Sequence, residues 1–267
     1  MKKVILYFVA IVSILVIVAS TWGIGNSIFL TTGKVENKDV KKSTSEVAVV
    51  KNTIKPKGNY YNILVLGDSL AKGTGDENNK GFAGDFADNV KKKTSKNVKL
   101  DNLGVNGDIS AGLLEIVRSK NASDLIKNSN IVFISIGGNE ITKLRRYDAV
   151  SETSEIRTTL DTYLNNLKSI FKTIREENEN CKIVFIGLYN PFGDNIGSDK
   201  VKLINEWNKE TQDVIADDAS SVFIPTYDLF KYNSDKYLTI DKFHPNSNGY
   251  EAIAKRICEV ILIWDIK

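Results

Sequence analysis

The residues best suited to chemistry in this chain are one serine and the single histidine. His244 lies in the segment DKFHP (residues 241–245), so Asp241 stands three positions ahead of the imidazole. Ser69 lies in the segment GDSL (residues 67–70), directly after the apolar run Ile63–Leu66. Histidine takes and returns a proton near neutral pH, and a serine hydroxyl needs such a base to act as a nucleophile. Taken alone, Ser69 could equally be a residue that caps the helix following it.

Two further polar segments follow the next two apolar runs. NLGVNGD occupies residues 102–108 and GGNE occupies residues 137–140, where Asn139 carries the side-chain amide. Because the carboxyl ends of parallel strands open onto one crevice, segments that follow strands are expected to meet there. Asn139 could instead be only a turn residue, and Asp241 could merely cap a turn.

The elements that must position these residues are indicated by apolar runs that alternate with amphipathic stretches. Continuous apolar runs of this length are typical of strands buried on both faces of a parallel sheet. The alternation predicts an α/β fold, a three-layer α/β/α domain with a flavodoxin-like parallel sheet of about five strands. The predicted strands are Ile63–Leu66, Val98–Leu103, Ile131–Ile136, Ile183–Leu188 and Val222–Ile224, and the predicted helices are Phe82–Lys93, Ser110–Arg118, Glu155–Asn178, Lys202–Asp217 and Ser247–Leu262.

Taken together, the four segments resemble the SGNH-hydrolase superfamily, the GDSL-type esterases and lipases. The resemblance spans Gly67 to His244, nearly the whole predicted domain. It implies that Ser69 is the nucleophile and that Asp241 and His244 complete a catalytic triad. The implied activity is that of a serine carboxylic-ester hydrolase, an esterase, lipase or acylhydrolase.

The resemblance also implies an oxyanion hole formed by Ser69, Gly107 and Asn139. The spacing within NLGVNGD assigns the family's glycine to Gly107 rather than to Gly104. One departure is visible, because the third segment commonly reads GGND in this superfamily and Glu140 replaces the aspartate here. The departure concerns the hydrogen bonding beside Asn139.

The chemistry of these side chains leads to a mechanism by itself. His244 removes the Ser69 proton as the serine oxygen attacks an ester carbonyl, and Asp241 fixes the imidazole tautomer. Each N–H donor aimed at the resulting oxyanion can lower the barrier by roughly 3–4 kcal/mol. No Gly-x-Ser-x-Gly elbow, phosphate-binding loop or dinucleotide fingerprint is present in the sequence.

The N-terminus has the pattern of a membrane anchor or signal peptide. Lys2 and Lys3 precede the apolar stretch 4–19, which continues to Trp22. This length favours an uncleaved anchor over a cleaved signal, with the following domain outside the cytoplasm. Secretion after cleavage is the alternative. The predicted domains are therefore residues 1–22 as anchor or signal, 23–58 as a flexible polar stem, and 59–267 as the hydrolase domain.

Charge and composition exclude several classes of function. Residues 1–61 carry nine lysines against three acidic residues, whereas the rest carries 27 basic and 30 acidic residues. A slightly acidic domain offers no electrostatic surface for nucleic acid. The two cysteines form no CxxC pair, so we expect neither a metal nor a cofactor, and the sequence leaves open whether Cys181 and Cys258 pair.

Two loops are expected to form the rim of the substrate pocket. The first, Ile141–Ser154, carries Arg145 and Tyr147, and the second, Tyr189–Asp199, carries Tyr189 and Phe192. Neither loop is apolar enough to require a long acyl chain, so the sequence leaves open whether a small-molecule, lipid or glycan ester is the substrate. Two other functions remain open: a membrane-tethered binding protein on the same fold without turnover, and a thioesterase or peptidase with the same triad.

Overall fold

The structure is a computed structural model that describes residues 60–94, 96–144, 153–191 and 197–261. The predicted anchor and stem lie outside these residues, as do Arg145, Tyr147 and Phe192 of the predicted rim. Across the described part of the chain, no helix has both the length and the apolar character that a membrane crossing requires.

The described residues form five strands and ten helices, and one to three helices follow each strand. All strand pairings are parallel, and the strand order is β2-β1-β3-β4-β5. This is the flavodoxin-like order. The strands are β1 (Tyr60–Gly67), β2 (Asn97–Asn102), β3 (Ile131–Ser135), β4 (Lys182–Ile186) and β5 (Ser221–Ile224). The helices are α1 (Ser69–Lys72), α2 (Gly81–Thr94), α3 (Ser110–Arg118), α4 (Lys120–Asn128), α5 (Gly138–Leu144), α6 (Thr153–Glu177), α7 (Ser198–Ala216), α8 (Tyr227–Lys231), α9 (Ser234–Tyr237) and α10 (Ser247–Ile261).

Two apolar clusters cover the two faces of the sheet. On one face, Leu64 and Ile134 pack with apolar residues of α3, α4, α6 and α7. On the other face, Val65 and Phe133 pack with apolar residues of α2 and α10. Successive residues of a strand point to opposite faces, so the central strands β1 and β3 are buried on both sides. The predicted three-layer α/β/α fold with a five-stranded parallel sheet is thereby confirmed.

The edge strands depart from the expectation of burial on both faces. Residues of β2 are half-buried or exposed, and β5 buries fully only Ile224 among its four residues. Both strands lie at the ends of the sheet order, where each has one neighbouring strand. The alternation of polar residues such as Lys99 and Asp101 in β2 fits this edge position.

Five short helices were not predicted from the sequence pattern, namely α1, α4, α5, α8 and α9. Four of them have seven residues or fewer, about two turns at most. The fifth, α4, has nine residues, but they are mostly polar and only Ala122 and Ile126 are buried. The cysteines are unpaired: Cys181 is buried and Cys258 is half-buried on α10.

Candidate active site

The turn between β1 and α1 presents Ser69 at the carboxyl edge of the sheet. Gly67 has φ = +131°, a conformation that favours glycine. A Cβ at this position would overlap the carbonyl oxygen of Ser135, the last residue of β3. The Asp68 amide donates to that same carbonyl at 2.9 Å. The chain therefore passes close over β3 and begins α1 with Ser69 as its first residue.

The loop between α9 and α10 brings His244 to this serine. Nε2 of His244 lies 3.0 Å from Ser69 Oγ, across 175 positions of sequence. Nδ1 of the same ring lies 2.7 Å from Asp241 Oδ2. The described structure thus brings the serine, imidazole and carboxylate into one hydrogen-bonded series.

Asp241 is held ionised by the hydrogen bonds it receives. Burial by itself raises the pKa of this carboxyl, but bonds from Thr239, from the His244 ring and from two backbone amides outweigh it and hold the pKa well below its usual range. The Thr239 hydroxyl donates to Oδ1 at 2.6 Å, and the amides of Phe243 and His244 donate to the same oxygen at 2.7 and 2.9 Å. These bonds also fix the carboxylate beside Nδ1.

The segments that carry the expected oxyanion donors meet each other. Asn139, in the first turn of α5, donates from Nδ2 to the Asp108 carbonyl at 2.7 Å. Gly107 immediately precedes Asp108, has φ = +78° and has open space where a side chain would be. Asn139 lines the same pocket as Ser69, whereas Gly107 is exposed and does not line it.

Two buried carboxylates lie beside the nucleophile. Burial is the main cause that raises the pKa of Asp68, which reaches about 7, and the nearby Glu140 carboxylate adds to the rise. Asp68 Oδ1 accepts from the Leu70 amide at 3.0 Å and from the Ser135 hydroxyl at 3.2 Å, so it caps α1. Glu140 Oε1 accepts from the Ser110 amide at 2.6 Å, so the residue that departs from the family's pattern connects α5 to the start of α3.

A pocket opens directly beside Ser69 and is lined mainly by apolar side chains. Its volume is about 580 Å³, including its open mouth. The apolar lining comes from several elements and consists of Leu70, Ile141, Leu188, Pro191, Ile204 and Phe243. Ile141 and Pro191 belong to the two loops that the sequence predicted as the rim. The sequence analysis missed Leu70, Leu188, Ile204 and Phe243, which lie outside those loops.

Tyr189 is the described member of the predicted rim. It lines the pocket, as expected, but its hydroxyl also donates to the Phe243 carbonyl at 2.7 Å. Its ring stacks on Phe230 with centroids 4.2 Å apart. Tyr189 therefore connects the loop after β4 to the residue that precedes His244. In the described residues, no group of three or more His, Cys, Asp or Glu side chains is arranged to hold a metal ion.

Comparison with known proteins places the chain in a family. Residues 63–257 match the family of GDSL-like lipases and acylhydrolases. The chain is 32% identical over 205 residues to the uncharacterized protein YpmR of Bacillus subtilis. The aligned region covers 74% of this chain and 80% of that protein. It is 26% identical over 202 residues to the spore germination lipase LipC of Bacillus licheniformis, with 72% and 92% covered.

Solved structures show the same fold. The lipase Lip_vut3 from a goat rumen metagenome superposes with a TM-score of 0.68 at 24% identity, covering 75% of this chain and 96% of that one. The acetylxylan esterase Axe2 of Geobacillus stearothermophilus superposes with a TM-score of 0.58 at 16% identity, covering 77% and 95%. These matches confirm the resemblance that the four sequence segments indicated. The chain belongs to the GDSL-like lipase/acylhydrolase family.

Proposed function

We propose that this protein is a serine hydrolase that cleaves carboxylic esters through a triad of Ser69, His244 and Asp241. The observation that carries the proposal is the series of contacts from Asp241 Oδ2 through both ring nitrogens to Ser69 Oγ, at 2.7 and 3.0 Å. In this arrangement an imidazole removes the serine proton while the carboxylate stabilises the imidazolium. Membership of the family supports the same class of reaction.

The reaction proceeds in two halves with the same groups. Ser69 Oγ attacks the ester carbonyl carbon as His244 Nε2 takes its proton, and the proton then passes to the departing alcohol. A water molecule next attacks the acyl-enzyme with His244 again as base, which releases the acid and restores Ser69. Asp241 remains ionised throughout, in keeping with its lowered pKa.

We assign the oxyanion hole to the amides of Ser69 and Gly107 and to the side chain of Asn139. An asparagine amide has two N–H groups. One of those of Asn139 binds the Asp108 carbonyl, which sets the direction of the other. Loss of one such donor costs about 10²–10³ in kcat in a comparable site, and Asn139→Ala is expected to fall in this range.

The apolar pocket beside Ser69 is the proposed site of the acyl group. Its lining by Leu188, Ile204 and Phe243 favours a hydrocarbon group over a charged one. Among the similar proteins, LipC is named a lipase and the structural neighbour Axe2 an acetylxylan esterase, and both names denote ester hydrolysis. They support the bond that is cleaved and leave the alcohol part of the substrate open.

Labelling with a fluorophosphonate tests the nucleophile. We expect the folded protein to be labelled once, on Ser69, and Ser69→Ala to lose both the label and roughly 10⁴-fold or more of its esterase activity. Ser119→Ala is the matched control, because this hydroxyl caps α4 and lies outside the pocket. Folded wild-type protein that takes no label and cleaves no ester would instead support a binding protein on this fold.

A panel of p-nitrophenyl esters, acyl-thioesters and amides tests the bond that is cleaved. We expect the highest kcat/KM on oxygen esters, with short acyl chains turned over fastest. A higher kcat/KM on thioesters or amides would contradict the assignment as a carboxylic-ester hydrolase and favour a thioesterase or peptidase with the same triad.

We further propose that residues 1–22 hold the domain at the outer face of the cell membrane. The lysines at positions 2 and 3 followed by an apolar stretch support this, and secretion after cleavage is the alternative. Membrane fractionation with mass determination of the mature N-terminus distinguishes the two. Full-length protein found in the cytosol would contradict both.

A further inference from the structure

A short loop runs from the nucleophile helix to the loop that carries His244. It follows α1 and begins with two bonds to the nucleophile itself, since the amides of Gly73 and Thr74 donate to the Ser69 carbonyl at 3.2 and 3.0 Å. The Thr74 carbonyl accepts from the Tyr250 hydroxyl of α10 at 2.8 Å. The loop is therefore attached at its start to Ser69 and along its side to the helix that follows His244.

Gly75, the next residue, lies directly against the base of the histidine side chain. A Cβ at Gly75 would be 3.1 Å from His244 Cβ and 2.6 Å from the Pro245 carbonyl oxygen. Gly75 also has φ = +94°, so both its conformation and its contacts require glycine. The loop is thus packed directly against the residue whose ring contacts Ser69.

At its far end the loop meets α10 through two carboxylates and one serine. Glu77 Oε2 accepts from the Ser247 amide at 2.7 Å and lies 2.6 Å from the Ser247 hydroxyl. Asp76 Oδ1 lies 2.6 Å from the same hydroxyl. A hydroxyl has one proton to donate, so the two carboxylates share it. We call these three residues, Asp76, Glu77 and Ser247, the clasp.

Within the loop, Asp76 is held in place by burial and by backbone hydrogen bonds. Asp76 is 6% exposed, and its second oxygen accepts from the amides of Lys80 and Gly81 at 2.8 and 2.7 Å, which joins it to the start of α2. Burial opposes ionisation of Asp76, but the Ser247 and backbone bonds outweigh it and lower its pKa, while bonds from Ser247 lower the pKa of Glu77. Both carboxylates are therefore charged at neutral pH and face the N-terminus of α10, where negative charge is stabilised.

We propose that the clasp is a positioning device that sets the distance between His244 and Ser69, an inference that rests on the proposed function. Ser247 is three residues beyond His244, and the loop that carries Asp76 and Glu77 is hydrogen-bonded to the Ser69 carbonyl. The clasp therefore connects the segment that carries the nucleophile to the segment that carries the base. None of its members touches the reacting atoms, so they act through His244.

Ser247→Ala removes the shared hydroxyl with little other change. The first turn of α10 is capped by Asn246, whose Oδ1 accepts from the Gly249 amide at 3.1 Å, so the helix keeps its cap. Misplacement of a catalytic group by an ångström can cost up to 10²-fold in rate. We expect kcat to fall about tenfold, with KM changed less than about twofold, because the pocket is untouched.

Because the sequence has a single histidine, NMR can observe the His244 ring without overlap from other histidines. With ¹⁵N-labelled histidine in a full-length chain that bears no histidine tag, every histidine signal belongs to His244. We expect its ring ¹⁵N signals to shift or broaden in Ser247→Ala and in Glu77→Ala. Ser119→Ala, which removes a capping hydroxyl outside the pocket, should leave both the ring signals and kcat at their wild-type values.

A double-substitution cycle tests whether the clasp acts as one unit. If it does, Ser247→Ala combined with Glu77→Ala lowers kcat no further than the worse single variant. Wild-type kcat and wild-type ring signals in both single variants would overturn the inference. If the wild-type protein cleaves no ester, the proposed function fails, and the ring signals alone then decide whether the clasp positions His244.

Discussion

At the scale of single residues, three carboxylates near Ser69 are placed in three different environments. Asp241 receives four hydrogen bonds, which outweigh its burial and lower its pKa. Asp68 is buried, and its pKa rises to about 7. Glu140 is also buried and accepts from the start of α3. The pKa values of Asp241 and Asp68 thus shift in opposite directions, because burial dominates at Asp68 and hydrogen bonds dominate at Asp241.

The raised pKa of Asp68 predicts a dependence of stability on pH. The unfolded group titrates near 3.8 and the folded one near 7, so between these values the folded protein binds the proton more tightly. This contribution is fully present below the unfolded value and is lost as pH rises through the folded value. Relative to Asp68→Asn, which does not titrate, we expect the wild-type protein to lose free energy of unfolding as pH rises through that window.

Urea denaturation of both proteins at a series of pH values measures this difference. All other titrating groups are shared, so their effects cancel when the two curves are subtracted. Parallel curves for wild type and Asp68→Asn would show that Asp68 has an ordinary pKa in the folded protein.

At the scale of elements, two bonds join the segments that carry the expected oxyanion donors. Glu140 on α5 caps α3, and its neighbour Asn139 binds the Asp108 carbonyl just ahead of that helix. The residue before α3, Ile109, has no side-chain bond to the helix, so Glu140 takes the place of a local cap. The longer side chain of glutamate, where the family commonly has aspartate, spans from one helix to the other.

Shortening this side chain tests the connection. Glu140→Asp removes one methylene, so the carboxylate can no longer reach the Ser110 amide at 2.6 Å. We expect the protein to lose about 1–2 kcal/mol of stability, because a buried N–H is left without its acceptor.

The matched control for this prediction is Glu115→Asp, on the exposed side of α3. The Glu115 side chain is 78% exposed, so this change should be close to neutral. Equal unfolding free energies for the two variants, measured in urea, would mean that Glu140 does not stabilise the start of α3.

At the scale of the whole molecule, the carboxyl ends of the parallel strands carry the candidate site, whereas the amino ends carry contacts that hold the fold together. The carboxyl edge carries Ser69, Asn139 and the pocket. At the opposite edge, Arg175 at the end of α6 binds Asp218 through two nitrogens, at 2.6 and 2.9 Å, and donates to the Cys181 carbonyl at 2.7 Å. These bonds connect α6, the start of β4 and the turn before β5.

Because these bonds lie far from the pocket, we expect Arg175→Ala to lower the stability of the protein without changing its kcat or KM. Arg175 and Asp218 are 20% and 17% exposed, so Arg175→Ala leaves a largely enclosed carboxylate without its cation. We expect a loss of about 2–3 kcal/mol in unfolding free energy. The kcat and KM of the folded protein should stay unchanged, because Arg175 lies at the edge opposite to the pocket.

Arg118→Ala is the control for this prediction, since Arg118 is 54% exposed and pairs only loosely with Glu115 at 3.7 Å. Thermal unfolding and ester kinetics on the same samples measure both effects. A fall in kcat for Arg175→Ala at a temperature where it is fully folded would contradict this prediction.

The sequence by itself determined the fold class and the positions of the reactive segments. Apolar runs and amphipathic helices are local patterns, and in a parallel sheet every segment that follows a strand must arrive at the same edge. The helix α4 was not predicted because its nine residues are mostly polar and bury only Ala122 and Ile126. The helix α5 has only seven residues, too few for a clear apolar face. The roles assigned to Ser69, Gly107, Asn139, Asp241 and His244 remain predictions that the geometry supports.

Only the tertiary structure decided what lines the pocket and what holds the reactive residues. Ile204 reaches the pocket from α7, Tyr189 binds the Phe243 carbonyl 54 positions away, and Glu77 grips Ser247 across 170 positions. Such contacts leave no pattern in the sequence, because the residues around a glutamate or serine on a loop do not indicate which distant residue it will contact. The spacing of apolar residues along the chain indicates which side chains face the core. The distances between side chains that are remote in sequence depend on how the helices pack against the sheet, which only the tertiary structure shows.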